Sequence, residues 1–308
     1  MSLVGRRSYE ADKVDFFETA DELASDYRNS AEPDPSSEIV IAEIGRDPVA
    51  YSKIWVSPGA NEEVVFWHAS HVVPEWRRTG LRQVLLRFSE SNIVSMASQR
   101  GIHMSCPCRV WALDEPNDWR DLIIAEGYTP GIHFYEMVRP TLNDVPETPL
   151  PKGLELRPVK PEDYPKVWNA SKEAFRGKPW FVEGQYDMKY YNSWVGSPEF
   201  MPELWRVAWD GDEIAGMARN HVILEENLKL GRKRGHTQHL SVMPKWRRRG
   251  LGKALLGESL RMMRDLGLEE AALDMESQST TGELDLYLSM GYEIHRRYAH
   301  YAKQLTVD

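Results

Sequence analysis

The sequence predicts an α/β protein (α+β, with mixed sheets) made of two tandem domains, 1–140 and 154–308, joined by a proline-rich linker over 141–153. Three observations lead there. The first is an internal repeat, the feature to seek before any single element. Residues 72–86, VVPEWRRTGLRQVLL, and 242–256, VMPKWRRRGLGKALL, agree at nine of fifteen positions, and Pro244 stands 170 positions after Pro74. The second is that the repeat extends both ways. IVIAEIGRDPVAYSKIWV (39–56) parallels WRVAWDGDEIAGMARNHV (205–222), and AEGYTPGIHFYEMVRP (125–140) parallels SMGYEIHRRYAHYAKQ (289–304). The third is RPTLNDVPETPLPKG (139–153), whose four prolines exclude a helix interior and a central strand.

Each element has a local reason. Segments 39–56 and 205–222 each read as strand, polar turn and strand, with Asp210-Gly211 a hairpin turn because glycine accepts positive φ. LELRPV opens the C-terminal domain as a strand, and PEDYPKVWNASKEAF follows as a helix with Pro161 near its first turn. A strand from about His236 to Val242 leads into Met243-Pro244-Lys245-Trp246. A helix follows with apolar residues at 251, 254, 255, 262, 263 and 266, and Gly267 closes it. TADELASDYRNSAEPDPSSEIVIAE resembles the segment beginning at EGQYDMKYYNSW, which starts the N-terminal domain at its second helix. The N-terminal domain is therefore expected to be truncated, without counterparts of Leu154 to about Phe175.

Composition narrows the partners. A net charge of −9 disfavours phosphate backbones, so nucleic acid is not expected, while a cationic amine would be tolerated. The two cysteines, Cys106 and Cys108, are too close for a disulfide framework and lack further ligands for zinc, so no metal is expected. They read as small strand residues in a reducing, cytoplasmic setting. No run of about 18 apolar residues is present, and MSLVGRRSYEAD has no apolar signal core. Oligomeric state stays open. LKLGRKRGH (228–236) reads as a solvated basic turn.

The chemistry sits in the strand–loop–helix at 240–253. Glycines let backbone N–H groups crowd a phosphate, the helix N-terminus adds partial positive charge, and Arg247, Arg248 and Arg249 add full charges. This segment resembles motif A of the acetyl-CoA-dependent N-acetyltransferase (GNAT) superfamily, [Q/R]-x-x-G-x-[G/A], here Arg247-x-x-Gly250-x-Gly252. The resemblance covers most of the chain and extends to tandem members such as the mycothiol synthase-like proteins. It implies that Leu240, Ser241 and Val242 pair with pantetheine, and that Arg247, Arg248, Arg249, Gly250, Leu251, Gly252 and Lys253 cradle the pyrophosphate of acetyl-CoA. Leu286-Tyr287-x-x-x-Gly291-Tyr292 resembles a second signature, in which the tyrosine protonates the leaving thiolate. The usual asparagine is replaced by Ser279 or Thr280. In the superfamily the base often sits on the strand before motif A, and the resemblance implies His236, eleven residues before Arg247, as the base. Gln238 is expected to share its face and His239 to point the other way, with Glu225 and Glu226 as runners-up.

The N-terminal half departs from the pattern. Arg82 stands in place of Gly252 and Ile123 in place of Tyr287, which implies a degenerate, silent copy. Three functions then compete: an N-acetyltransferase acting on a primary amine of a small acceptor, a CoA-binding or scaffolding protein without turnover, and an aminoacyl-tRNA-using transferase, which the net charge disfavours.

Overall fold

The computed structural model describes all residues except 13, 15–19, 21–22, 25–37, 60–62, 179–180, 279–281 and 308. In chain order its elements are α1 (Ser2–Ala11), β1 (Ile39–Ile44), β2 (Asp47–Pro58), β3 (Val64–Val72), α2 (Leu81–Gln99), β4 (Met104–Leu113), α3 (Asp118–Ala125), β5 (Thr129–Arg139), β6 (Glu155–Leu156), α4 (Tyr164–Phe175), α5 (Met188–Val195), β7 (Arg206–Asp210), β8 (Glu213–His221), α6 (Leu224–Leu230), β9 (Arg234–Val242), α7 (Leu251–Asp265), β10 (Glu270–Glu276), α8 (Glu283–Ser289) and β11 (Glu293–Val307). Two compact units result: Met1–His133 with Tyr298–Asp308, and Phe134–Arg297.

In the first unit the strand order is β1-β2-β3-β4, completed by Tyr298–Val307 of β11. The β3–β4 contact is parallel and the others are antiparallel. Alternate residues of these strands, among them Ile54, Phe66, Cys108 and Val110, bury against Leu86 and Ile93 of α2 and Ile123 of α3. In the second unit Phe134–Arg139 of β5 lies beside β10, followed by β9, β8, β7 and β6. Its α7 buries Leu251, Ala254, Leu255, Met262 and Met263, as the spacing predicts, and also Leu256 and Leu260, whereas Leu266 is 57% exposed beyond the last turn.

The units do not follow the repeat. The division at 140 and 154 tracks sequence similarity, but the chain exchanges its closing strands. Phe134–Arg139 is in register with β10 from Phe134↔Glu276 to Arg139↔Ala271 and buries Met137 and Val138. Tyr298–Val307 is in register with β4 over its whole length. Similarity identifies a closing strand but not the sheet it joins. Segment 141–153 has no helix or strand, as expected, yet it is a packed strap. Leu142 is buried, Arg261 donates to Pro146 O at 3.0 Å and to Thr148 Oγ1 at 3.2 Å, and Arg139 pairs with Asp144 at 2.6 Å. Gly257 of α7 is where the strap crosses, since a Cβ there overlaps Thr148 Oγ1.

The expected loss of a first helix from the N-terminal half is corrected by α1. Arg77, the repeat counterpart of Arg247, donates to Val72 O at 3.3 Å and to Ser8 O at 2.8 Å. Arg247 donates to Val242 O and to Ala174 O, each at 3.0 Å. Thus α1 stands in the first unit as α4 stands in the second. Its buried face is Val4, Gly5 and Ser8, too poor in large apolar residues to show a helical stripe.

Candidate active site

The site is built on β9, whose pairing is irregular on both sides. Against β8 the partners are His236↔His221, Thr237↔Asn220, His239↔Arg219 and Leu240↔Ala218, so Gln238 is an extra residue, a β-bulge. Side chains alternate along a strand, and the extra residue turns His239 onto the face of His236. The expected opposition of these two histidines is therefore corrected. Gln238 is exposed at the bulge and donates at 2.7 Å to Glu199, the carboxylate that also lies 3.8 Å from His221. In the first unit β2 and β3 pair without a shift, and Trp55↔Trp67 occupies the place of His221↔His236.

On its other side β9 pairs with β10 only from Arg234↔Glu270 to His236↔Ala272. Beyond His236 the parallel strands part. The β10-facing edge of Leu240, Ser241 and Val242 then has no ladder partner among the described residues, and backbone N–H and C=O groups there are open to a ligand.

The loop after β9 turns those groups toward the start of α7. Gly250 caps the helix in the left-handed region at φ 83°, and Arg248 is also left-handed at φ 61°. Alternation of this kind points successive N–H groups into one concavity, and the first helical turn adds N–H groups with no helical partner. Arg247 does not aim its guanidinium there; its two bonds to backbone carbonyls brace β9 and α4. Arg248, Arg249 and Lys253 make no ion pair among the described residues, and Arg249 lies 4.8 Å over the Trp246 ring. Leu251 is a core residue, so its share of a cradle is its backbone. A Cβ on Gly252 would meet Val242 Cγ2 at 3.6 Å and Leu286 Cδ2 at 3.7 Å. Leu286 thereby brings α8 and Tyr287 beside the loop.

Tyr287 is 7% exposed, packed in the second unit's core with its ring 6.0 Å from that of Tyr292. Burial raises its pKa well above the usual phenol range, with the Glu283 charge adding to this, so the hydroxyl keeps its proton. Ser279 and Thr280 lie outside the described residues.

The histidine face carries groups the motif reading did not assemble. The rings of His221 and His236 stack at 5.1 Å and 13°. Burial, then the neighbouring His221 and the charges of Arg234 and Arg232, hold His236 well below the usual histidine range, so it is a neutral imidazole. His239 accepts a hydrogen bond at Nδ1 from Arg219 and packs edge-on to Phe175 at 5.1 Å. Arg219 is buried, with Nε and Nη1 unpartnered, and lies 5.2 Å from the Trp194 ring. Beside it, Trp194 and Tyr191 pack around Trp168, and Phe181 stacks on Tyr186. The bulge that assembles this face leaves no sequence signal beyond one residue of extra spacing. The basic stretch 228–236 is not a solvated turn. It holds the end of α6, and Arg232 pairs with Glu226 while buried Arg234 pairs with Glu270 at 2.7 Å.

The first unit lacks the same parts. Its loop has Gly80 at φ 80° but no left-handed arginine. Arg77 pairs with Asp12 at 2.6 Å, Arg82 pairs with Asp118 at 3.3 Å, and Arg82 lies 4.8 Å over Trp119. Arg77 and Arg82 are thus answered internally. Ile123, in the place of Tyr287, is fully buried.

This arrangement is similar to that of a known family. Residues 164–292 match the model of the acetyltransferase (GNAT) family. The mycothiol acetyltransferase of Geodermatophilus obscurus is 26% identical over 229 residues, covering 73% of this chain and 69% of that protein. The mycothiol acetyltransferase of Streptomyces bingchenggensis is 30% identical over 177 residues, covering 56% and 54%. Among solved structures, a GCN5-related N-acetyltransferase from Sphaerobacter thermophilus superposes with a TM-score of 0.73 at 23% identity, over 99% of this chain and 91% of that one. A tandem GNAT protein from the clavulanic acid biosynthesis pathway superposes with a TM-score of 0.69 at 13% identity, over 100% and 95%. Residues 164–292 thus carry the sequence pattern of the GNAT acetyltransferases, and the fold of the chain is similar to that of tandem GNAT proteins. No helix among the described residues is long and apolar enough to cross a membrane.

Proposed function

We propose that the second unit transfers an acetyl group from acetyl-CoA to a primary amine of a small acceptor by direct attack. The observation that carries this is the coincidence, in the second unit, of parted strands β9 and β10, a left-handed loop whose cations make no ion pair among the described residues, and a protonated buried tyrosine. The residues fit the nucleotide. Leu240–Val242 offer an open backbone edge for the pantetheine arm. The N–H groups of Arg248–Lys253, with the side chains of Arg248, Arg249 and Lys253, offer a polyanion site. Bound there, acetyl-CoA supplies an activated thioester.

The protein's own part is proton handling. An amine arrives mostly as its ammonium. His236 accepts one proton from it, and the neutral nitrogen can then form the C–N bond while the C–S bond breaks. Tyr287 gives its hydroxyl proton to the departing sulfur, and the second proton lost from nitrogen restores the tyrosine. Of the two protons that nitrogen loses, one therefore reaches solvent through His236 and the other replaces the tyrosine proton that ends on the thiol. At neutral pH His236 is unprotonated and can take up a proton, and its lowered pKa returns that proton readily to solvent.

The test is a panel of amines with acetyl-CoA, reading thiol release, with the acceptor of the mycothiol acetyltransferase relatives at its head. Turnover of at least one amine, abolished with acetyl-CoA omitted, is expected. Tight acetyl-CoA binding with no turnover across the panel would favour a non-catalytic CoA-binding role instead.

A further inference from the structure

We propose that Glu226 is a positioning residue for His236: it fixes the imidazole as the Nε2–H tautomer, so that the ring receives the acceptor's proton at Nδ1. The inference deepens the reading of His236 as the base and rests on it for its catalytic meaning, though not for its structural content.

The two ring nitrogens of His236 have different surroundings. Nε2 is closed to solvent and has no hydrogen-bond partner among the described residues, and it lies 3.9 Å from Glu226 Oε1. The side chain as a whole is 20% exposed, and Nδ1 is not among the closed, unpartnered atoms. The accessible nitrogen is therefore Nδ1. Glu226 is 3% exposed at its side chain and is held by an ion pair with Arg232. A carboxylate fixed beside Nε2 attracts an N–H there and repels a lone pair, so the proton of the neutral ring belongs on Nε2. The lone pair then points outward from Nδ1, on the sheet face that the bulge at Gln238 shares with His239.

Other groups around the ring act on its charge and leave this preference in place. His221 from β8 stacks against it and is itself neutral, its pKa lowered to about 4 by burial and by Arg219. Glu199 lies 3.8 Å from His221 Nε2 rather than beside His236. Arg232 and Arg234 disfavour the imidazolium, and Arg234 is answered by Glu270 and by Glu136. His239 and Arg219 satisfy one another, and Phe175 of α4 contributes a ring without charge. Glu226 is the acidic group within ion-pair reach of His236 among the described residues. The pattern is the orienting carboxylate behind a histidine base, in which the acid selects the tautomer and the imidazole moves the proton.

The test needs no substrate. Full-length protein labelled with ¹⁵N-histidine is studied by long-range ¹H–¹⁵N correlation at neutral pH, with His236→Asn assigning the resonance. The expected result is an Nε2–H tautomer for His236, and in Glu226→Gln a measurable fraction of the Nδ1–H form. An Nδ1–H tautomer in the unmodified protein overturns the proposal, whether or not acetyl transfer is found. A tautomer unmoved by Glu226→Gln, in protein whose melting temperature shows it to be folded, also overturns it. With an acceptor in hand, Glu226→Gln should lower kcat by on the order of 10-fold with KM for acetyl-CoA unchanged. An Nε2–H tautomer without any amine turnover would leave the proposal standing and sink the acetyl-transfer reading, so the two can fail separately.

Discussion

A fragment cut where the repeat suggests, 154–308, removes Phe134–Arg139 from the second unit and leaves Tyr298–Val307 without β4. The cost can be worked from the contacts. Met137 is fully buried, Val138 is 8% exposed and Leu142 in the strap is 1% exposed. Burial of each such side chain contributes about 1.5–3 kcal/mol, so their loss removes roughly 6 kcal/mol. The β10 edge from Ala271 to Glu276 also loses its ladder, and Arg139 no longer bonds Met290 O and Asp144. That loss is comparable with the whole stability of an ordinary domain, about 5–15 kcal/mol. An unpaired ten-residue strand further invites association. A fragment of 134–297 keeps every strand of the compact unit. Circular dichroism melts and gel filtration of both fragments should show 134–297 monomeric with a cooperative transition, and 154–308 aggregated or without one. A cooperative melt of 154–308 at or above that of 134–297 would refute the strand exchange.

Three further outcomes follow. Tyr287→Phe removes a hydroxyl and little volume, and transfer should fall by on the order of 10²-fold with acetyl-CoA affinity nearly unchanged; an unchanged rate would assign the proton to another group. Gly257→Ala should lower the melting temperature although alanine favours helix by about 1 kcal/mol, because its Cβ meets Thr148, and Thr148→Ala in the same chain should restore most of the loss; a stabilised single variant would contradict the packed strap. Acid should destabilise the fold below about pH 6.5. His68 and His71 are lowered to about 3, and His221 and His300 to about 4, chiefly by burial. The unfolded chain therefore binds more protons as pH falls from 6.5 toward 4, and each such histidine costs on the order of 1 kcal/mol per pH unit across that window. Melting temperatures that stay flat from pH 7 to pH 5 would contradict this.

The elements that define the cofactor side were legible because they are local. A proline, a Trp, an Arg-x-x-Gly and a one-faced apolar helix lie within fifteen residues, and each acts on its neighbours. What could not be read was pairing. Whether β5 joins one sheet or the other depends on contacts between residues such as Met137 and Leu273, far apart in sequence. The extra residue Gln238 changes the face of His239 without changing its residue type. The helix α1 was hidden because glycine and serine line its buried side. Arg247 carried the motif's positive charge in the sequence but serves as a brace, since two carbonyls reach it first.

The central claim is a single acetyl-CoA site in the loop from Val242 to Lys253, with the first unit silent. Titration calorimetry of the full chain with acetyl-CoA measures it directly. The account predicts a stoichiometry near one, lost in Gly252→Arg, which places in the second unit the side chain that Arg82 brings to the first. Two sites per chain, or binding that survives Gly252→Arg unchanged, would contradict it.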